Sequence, residues 1–528
     1  MKKVVSSWIF VSLLPVGIAF FFSSPSFAQA VQVARYEREH GSSDQDFIII
    51  PMADKGMILL RDKDKFKDGN KLWEVIGLNT ELTETWNLEM NVEARLRLVG
   101  YDYKDDLIYI LFRTSEHEGS DLELFTMHVH TREIKKFTIK QQLTFKVTHL
   151  GVLNREIVLG GYVSNDPAIL IYDLATENLK IVPGFFISDT ELLDLRINAN
   201  NTFNTIVIDR NQKEKKRLIL KTFDATGAML LDDEIRIDEK KSILSALSSA
   251  LVNDELLITG TWTMGMSKMA SGIFSVLADP FADQAINYYD FGQLKYFLDH
   301  LSKKRVEKLK ANSLQAKNLG SVPDFKTYAT VMRLEESPEG FALLAEVYQP
   351  ASNFNSNPYG PGFSSPYMYG NPYSYNPFMS RYYSPPYQFN SAPSLVGEAK
   401  VLQSSVICFD LTGKLTNDYG LVLEDKKTSG IEQTSDFIFN KGSVAIAYKK
   451  EKEIRVMRGT PDENDYDTLQ STLRKPEEIV RSDSDNGHVR FWYGTNLYSW
   501  GYQHIKDQEK QSEDTHRNVF YINKIKID

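Results

Sequence analysis

The sequence predicts a repetitive all-β protein made of four-stranded units, and three observations carry that prediction. An apolar strand ending in an aromatic residue and Asp, followed by a Thr-containing turn and a returning strand, recurs along the chain. The copies keep a nearly constant interval. Between them, strand-like runs group into blocks, the first of which holds four candidate strands by Met90.

The clearest copy is ILIYDLATENLKIV, residues 169–182, with Tyr172-Asp173 and Thr176 at its turn. Phe223-Asp224 with Thr226 and Gly227, and Phe409-Asp410 with Thr412 and Gly413, repeat it. In each, the Asp carboxylate can accept hydrogen bonds from backbone N–H groups of the turn, while Thr and Gly ease the reversal. A degenerate copy, MHVHTREIKKF, puts His128 where Asp173 stands and Thr131 where Thr176 stands. From His128 to Asp173 is 45 residues and from Asp173 to Asp224 is 51, with a plainer hairpin strand, 272–278, about one period later. A period of about 45–50 residues suits one four-stranded blade. On these residues the chain resembles the β-propeller superfold, loosely its exported bacterial members with WD40-like or TolB-like blades. The resemblance implies one ring of seven or eight four-stranded blades. Neither the combined Gly-His and Trp-Asp signature of WD40 repeats nor the kelch double glycine with its paired aromatics recurs along the chain, so no specific family is identified.

Taken in order, residues 1–30 read as a signal peptide: Lys2 and Lys3, an apolar stretch from Trp8 to Phe22, and Ala28-Gln29-Ala30 as a small-x-small cleavage site, with removal after Ala30. Pro15 and Gly17 interrupt the stretch, and it is short for a membrane span. No later apolar run is long enough to cross a bilayer. The propeller is then expected over 31–528. Its first block runs through DFIIIPMADKGMILLRD, KLWEVIGLN and ETWNLEM, and its second from ARLRLVGYDYKDDLIYILFR to about Lys140. The third covers about 146–183, the fourth 191–237 and the fifth 242–290. A sixth uses TYATVMRLEE, GFALLAEVY and VICFDLTGK, a seventh starts at Asp436, and the last holds VRFWYGTNLYSWGYQ and NVFYINKIKI. Eight blocks give eight blades, or seven if the outer blocks share one to close the ring. Alternation within blocks is imperfect, as expected where strands pack on both faces.

Two insertions interrupt the series. Phe291, Leu294, Phe297, Leu298, Leu301 and Leu309 have near-helical spacing, so 291–317 is expected as an amphipathic helix with Lys303, Lys304, Arg305, Lys308 and Lys310 on its free face. The ordinary reading is a solvated helix packed on the side of the ring. Residues 351–395 form a Tyr/Pro/Asn-rich stretch in which Arg381 is the one charge. Frequent Pro prevents regular sheet or helix, so a disordered loop is expected. Its Tyr367, Tyr369, Tyr373, Tyr375, Tyr382 and Tyr383, with Arg381, are the candidate partner contacts, because exposed Tyr rings stack on sugars or pack on proteins.

Composition limits the function. With Lys2 and Lys3 removed, the 61 basic and 70 acidic residues leave a charge of −11, which disfavours nucleic acid as a partner. The single Cys408, in SSVICFDL, cannot form a disulfide within the chain and reads as a core residue. No G-x-S-x-G elbow or phosphate loop occurs. His128 and His130 alternate on one strand, with His117 and Glu116 or Glu118 nearby, yet no metal motif anchors them. Asp62, Asp64 and Asp68, and Asp483 and Asp485, offer acidic turns, but Phe66 fills a slot where a calcium loop needs oxygen. Calcium is thus the one cofactor left open. Trp262, Trp492 and Trp500 read as core residues. The sequence therefore points to an exported, periplasmic or extracellular, non-catalytic binding or scaffold protein that presents rim loops to an envelope or extracellular protein or glycan. A propeller glycan hydrolase or lyase with a funnel active site, and a structural envelope or matrix component, are the alternatives.

Overall fold

The computed structural model describes residues 30–527, apart from 351–398 and the short stretches 42–43, 116–118, 142, 186–189, 210–215, 252–254, 266, 280–283, 324, 429–430, 462, 485–486 and 509–515. Eight antiparallel sheets form the blades of one propeller, spanning residues 48–93, 97–139, 145–181, 190–236, 241–290, 329–428, 435–470 and 478–527. In the first seven, four strands follow one another in chain order from the axis outward.

The eight hydrophobic clusters explain why the sheets stand as a ring. Each lies between two successive blades. Trp73, Phe112 and Phe125 fill the first interface, Leu220, Trp262 and Phe274 the fourth, and Phe47, Trp492 and Phe520 close the ring between blades 8 and 1. Every blade therefore buries both faces, which selects continuous apolar runs such as Ala168 to Tyr172 over strict alternation.

Closure settles the blade number at eight. The first block is a blade by itself, and the strand before it, Ala30–Glu39, joins blade 8 as its outermost strand, paired antiparallel with His516–Ile527. Arg517 fastens this join, its Nη2 reaching Glu37 Oε2 at 2.6 Å and Glu478 Oε2 at 2.7 Å. The innermost strand of blade 8 comes in two pieces, Glu478–Asp483 and Val489–Tyr493, which share one neighbour, Asn496–Asp507.

The expected helix over 291–317 is shorter and starts later. Phe291–Gln293 is a 3₁₀ turn, and the one helix among the described residues, α1, spans Lys303–Asn318. Between them the Asp418 carboxylate accepts hydrogen bonds from Lys295 N at 2.6 Å and Tyr296 N at 2.7 Å. That capture holds the backbone in bends and drives Phe291, Leu294, Phe297 and Leu298 into the core between blades 5 and 6. The near-helical apolar spacing reflects a wedge seated in a blade interface. Behind it α1 lies on the ring's flank, where Ser313 Oγ donates to Asp290 Oδ1 at 2.6 Å.

Candidate functional site at the mouth of the ring

Strand directions alternate within a blade, so second-to-third strand connections and blade-to-blade connections leave from the end of the ring where the innermost strands begin. The 351–398 segment is such a connection in blade 6. Its flanking residues Pro350 and Ala399 are register partners, and Ala399 also pairs with Thr428 at the end of the outermost strand. Residues 431–434 then lead into blade 7, and a dense group of buried ionisable side chains meets around them.

Glu346 sits in the apolar strand Gly340–Pro350 and is only 1% exposed. Its Oε1 accepts from Thr434 N at 3.0 Å, Thr434 Oγ1 at 2.7 Å, Ser435 N and Ser435 Oγ at 2.9 Å, and Ser404 Oγ at 3.1 Å. This carboxylate stitches blade 6 to blade 7. Burial pushes its pKa up against the pull of those donors.

Glu432 stands two residues before that stitch, recessed in the mouth yet with 35% of its side chain exposed. Burial of its surroundings pushes its carboxyl toward the neutral form, outweighing the opposing fields of Lys426 and Arg490. His488 Nε2 lies 4.0 Å from Glu432 Oε2, with its ring 5.6 Å from that of Trp500. The break in the innermost strand of blade 8 puts His488 there, and Gly487 permits it: a Cβ at that position would lie 1.9 Å from Trp500 O. His488 is 7% exposed, and burial, with Lys426, Arg490 and Lys449 nearby, lowers its pKa well below the ordinary imidazole value. Lys449 Nζ is held by Asp483 Oδ1 at 2.9 Å and Ser484 O at 3.0 Å. The buried Arg490 donates to Val489 O at 2.7 Å and to Gln433 O. Behind it Arg333 pairs with Asp436 Oδ1 at 2.8 Å and lies 4.0 Å from the Phe437 ring.

Chemically, this mouth places a carboxyl biased toward its protonated form beside an imidazole kept neutral. Arg490 Nε, His488 Nδ1 and Gln433 Oε1 have no hydrogen-bond partner among the described residues, so both donor and acceptor capacity are left around Glu432. Four groups whose protonation is shifted by burial converge from blades 6 and 8 and the connection between blades 6 and 7, the kind of clustering found at functional sites. Among the described residues no group of three or more His, Cys, Asp or Glu is placed to hold a metal.

Two other places on the opposite end of the ring are polar. Arg196 Nη2 bonds both Glu336 oxygens at 2.9 and 3.0 Å and Arg196 Nη1 reaches Ser248 O at 2.7 Å, linking blade 4 to blades 5 and 6. Between blades 2 and 3 a cleft of about 640 Å³ is floored by Leu107, Tyr109 and Phe137 and rimmed by His128, Lys135 and Arg155.

The repeated Asp residues act in their turns at this same end. Asp173 Oδ1 accepts from Ala175 N at 2.8 Å, and Thr176 Oγ1 donates to Asp173 Oδ2 at 2.8 Å. Asp224 Oδ1 accepts from Thr226 N at 2.8 Å and Ala228 N at 2.9 Å, and Asp410 Oδ1 from Thr412 N and Lys414 N, both at 2.9 Å. Gly227 and Gly413 adopt φ of 83° and 74°, conformations open to glycine. His128 does the same job with its imidazole, Nδ1 accepting from His130 N at 3.2 Å and Thr131 N at 3.4 Å. Asp62 is paired with Lys71 at 2.6 Å. Cys408 is buried, and that burial, with Asp418 near, pushes its thiol up to about 12. Trp262, Trp492 and Trp500 are buried in blade interfaces. Tyr367, Tyr369, Tyr373, Tyr375, Arg381, Tyr382 and Tyr383, with His117, Glu116, Glu118, Asp485 and residues 1–29, lie outside the described residues.

Fold and mouth together define an eight-bladed β-propeller closed by its N-terminal strand. No family model matches the chain, and no curated protein matches it. Similar solved structures include the polysaccharide lyase Uly1, with a TM-score of 0.39 and 9% identity over 92% of this chain and 100% of that one. The β-propeller domain of the Trilobed protease from Pyrococcus furiosus, described as having an open velcro topology, gives 0.35 and 7% over 81% of this chain and 93% of that one. A prolyl endopeptidase structure gives 0.30 and 8% over 79% of this chain and 55% of that one. The likeness is one of architecture, and no substrate or partner transfers from it.

Proposed function

We propose that the protein is an exported propeller that binds an envelope or extracellular protein or glycan at the mouth around Glu432 and His488. The observation that supports this reading most is the coincidence of two features at one end of blade 6. The flanks of the Tyr-rich insertion, Pro350 and Ala399, leave from the same end of the ring as Glu432, whose side chain is part exposed, and behind it polar atoms of Gln433, His488 and Arg490 are buried without a partner among the described residues. The reading needs no cofactor. Capture from envelope extract and on a glycan array tests it, comparing the full protein with Glu432→Gln, His488→Asn and a deletion of 351–394. Binding should weaken by about tenfold in the point variants, the loss of roughly one hydrogen bond between uncharged groups. Equal binding in all four proteins removes the mouth from consideration.

The pairing of a neutral-leaning carboxyl with a neutral imidazole favours a second reading, an enzyme acting on glycans. Release of new chain ends from a polysaccharide panel, lost in Glu432→Gln, would replace binding by catalysis as the role of this site.

A further inference from the structure

The first residue of the closing strand bears on how the chain is processed. Ala30 is 2% exposed, pairs with Ile527, packs among Ile438, Ala445, Ile454 and Ile525, and donates its N–H to Asp467 Oδ2 at 3.3 Å. The Ala30–Val31 bond therefore lies within a hydrogen-bonded ladder, Val31 pairing with Lys526. A peptidase that needs an extended strand in its own cleft reaches this bond only before blade 8 closes, and a cut there removes a buried residue from the seam. The sequence holds a second small-x-small triplet two residues earlier, Ser26-Phe27-Ala28. Its bond to Gln29 precedes Ala30, the first described residue of the ladder.

We propose that the leader peptide is removed after Ala28, so that the mature chain begins at Gln29 and carries Ala30 intact into the closing strand. This rests on the reading of the protein as exported, and it replaces the cut after Ala30 suggested by the Ala28-Gln29-Ala30 triplet. Cutting at Ala28 leaves Ala30's amide N–H as a peptide donor to Asp467, whereas cutting at Ala30 deletes that donor and makes Val31 the first residue of the closing strand.

Intact mass and N-terminal sequencing of the full-length protein recovered from a secreting bacterial host decide the matter. The expected first residue is Gln29 or its cyclised form. A chain starting at Val31 overturns the proposal while leaving export standing; a chain still starting at Met1 overturns export itself, and the proposal with it. Ser26→Asp spoils the position two before Ala28 but lies outside the Ala28-Gln29-Ala30 triplet. It should reduce the processed fraction by about tenfold, and undiminished processing to the same end would overturn the assignment.

Discussion

His149 offers the sharpest test of the electrostatics of the ring. It lies on the innermost strand of blade 3, Phe145–Leu153, and is 5% exposed. Its Nδ1 is 2.8 Å from Thr148 Oγ1, and its Nε2 has no partner among the described residues. Burial lowers its pKa from 6.5 to about 3. A histidine buried in the neutral form binds fewer protons than its unfolded counterpart between those two values, so stability is full above about pH 6.5 and falls as pH drops toward 3. From pH 7.5 to 5.0 the two values give a loss of about 2 kcal/mol from this one group. Urea unfolding of the wild type and of His149→Leu at both pH values isolates it, because the difference between the two pH effects cancels every other titrating group. Thr148 Oγ1 still reaches Gly160 O at 3.3 Å in the variant. The wild type should lose about 2 kcal/mol more than the variant on acidification. Equal losses within about 0.5 kcal/mol would refute the claim that the imidazole is buried uncharged.

Other expectations follow from the interblade contacts. Asp436→Ala removes the 2.8 Å partner of the buried Arg333, leaving it Glu335 Oε2 at 3.0 Å, and should cost about 2–3 kcal/mol in unfolding free energy, part of it recovered when Arg333 is also replaced by Met; no recovery would mean that Asp436 acts through Phe491 N instead. Asp410→Ala removes three turn hydrogen bonds and should cost about 1 kcal/mol at neutral pH. Burial nudges the Asp410 carboxyl up, but Thr412 and Lys414 hold it below the usual range, so this contribution fades as pH falls through that range and the variant should match wild type in acid denaturation. Deleting 30–39 uncovers the Val519–Ile527 edge and should produce self-association in size-exclusion chromatography with light scattering; a stable monomer would show that the ring does not need its seam.

Turn chemistry made the blades legible. An Asp that accepts backbone hydrogen bonds leaves a local mark, readable at Asp173, Asp224 and Asp410. His128 was readable as a substitute because only an acceptor is needed there. The wedge at 291–302 misled because insertion into an interface and helix formation both ask for apolar residues every three or four positions, and the deciding partner, Asp418, is over a hundred residues away. The mouth stayed hidden for a related reason. Lys426, Glu432, His488 and Arg490 come from two blades and an interblade connection, and no spacing rule joins them. What signal existed was local: an acid within FALLAEVY and a His and Arg within GHVRFW are ionisable groups placed where a blade buries both faces.

The seam at blade 8 also governs how the molecule answers a pull. Ala30 faces Ile527, so the two chain ends leave from the same end of one antiparallel pair. Tension applied to them loads that terminal pair alone and parts its hydrogen bonds one after another, like a zip, instead of shearing the whole strand at once. A wheel held by hydrophobic interfaces between all its blades thus meets a pull on these two strands at a seam that opens one rung at a time.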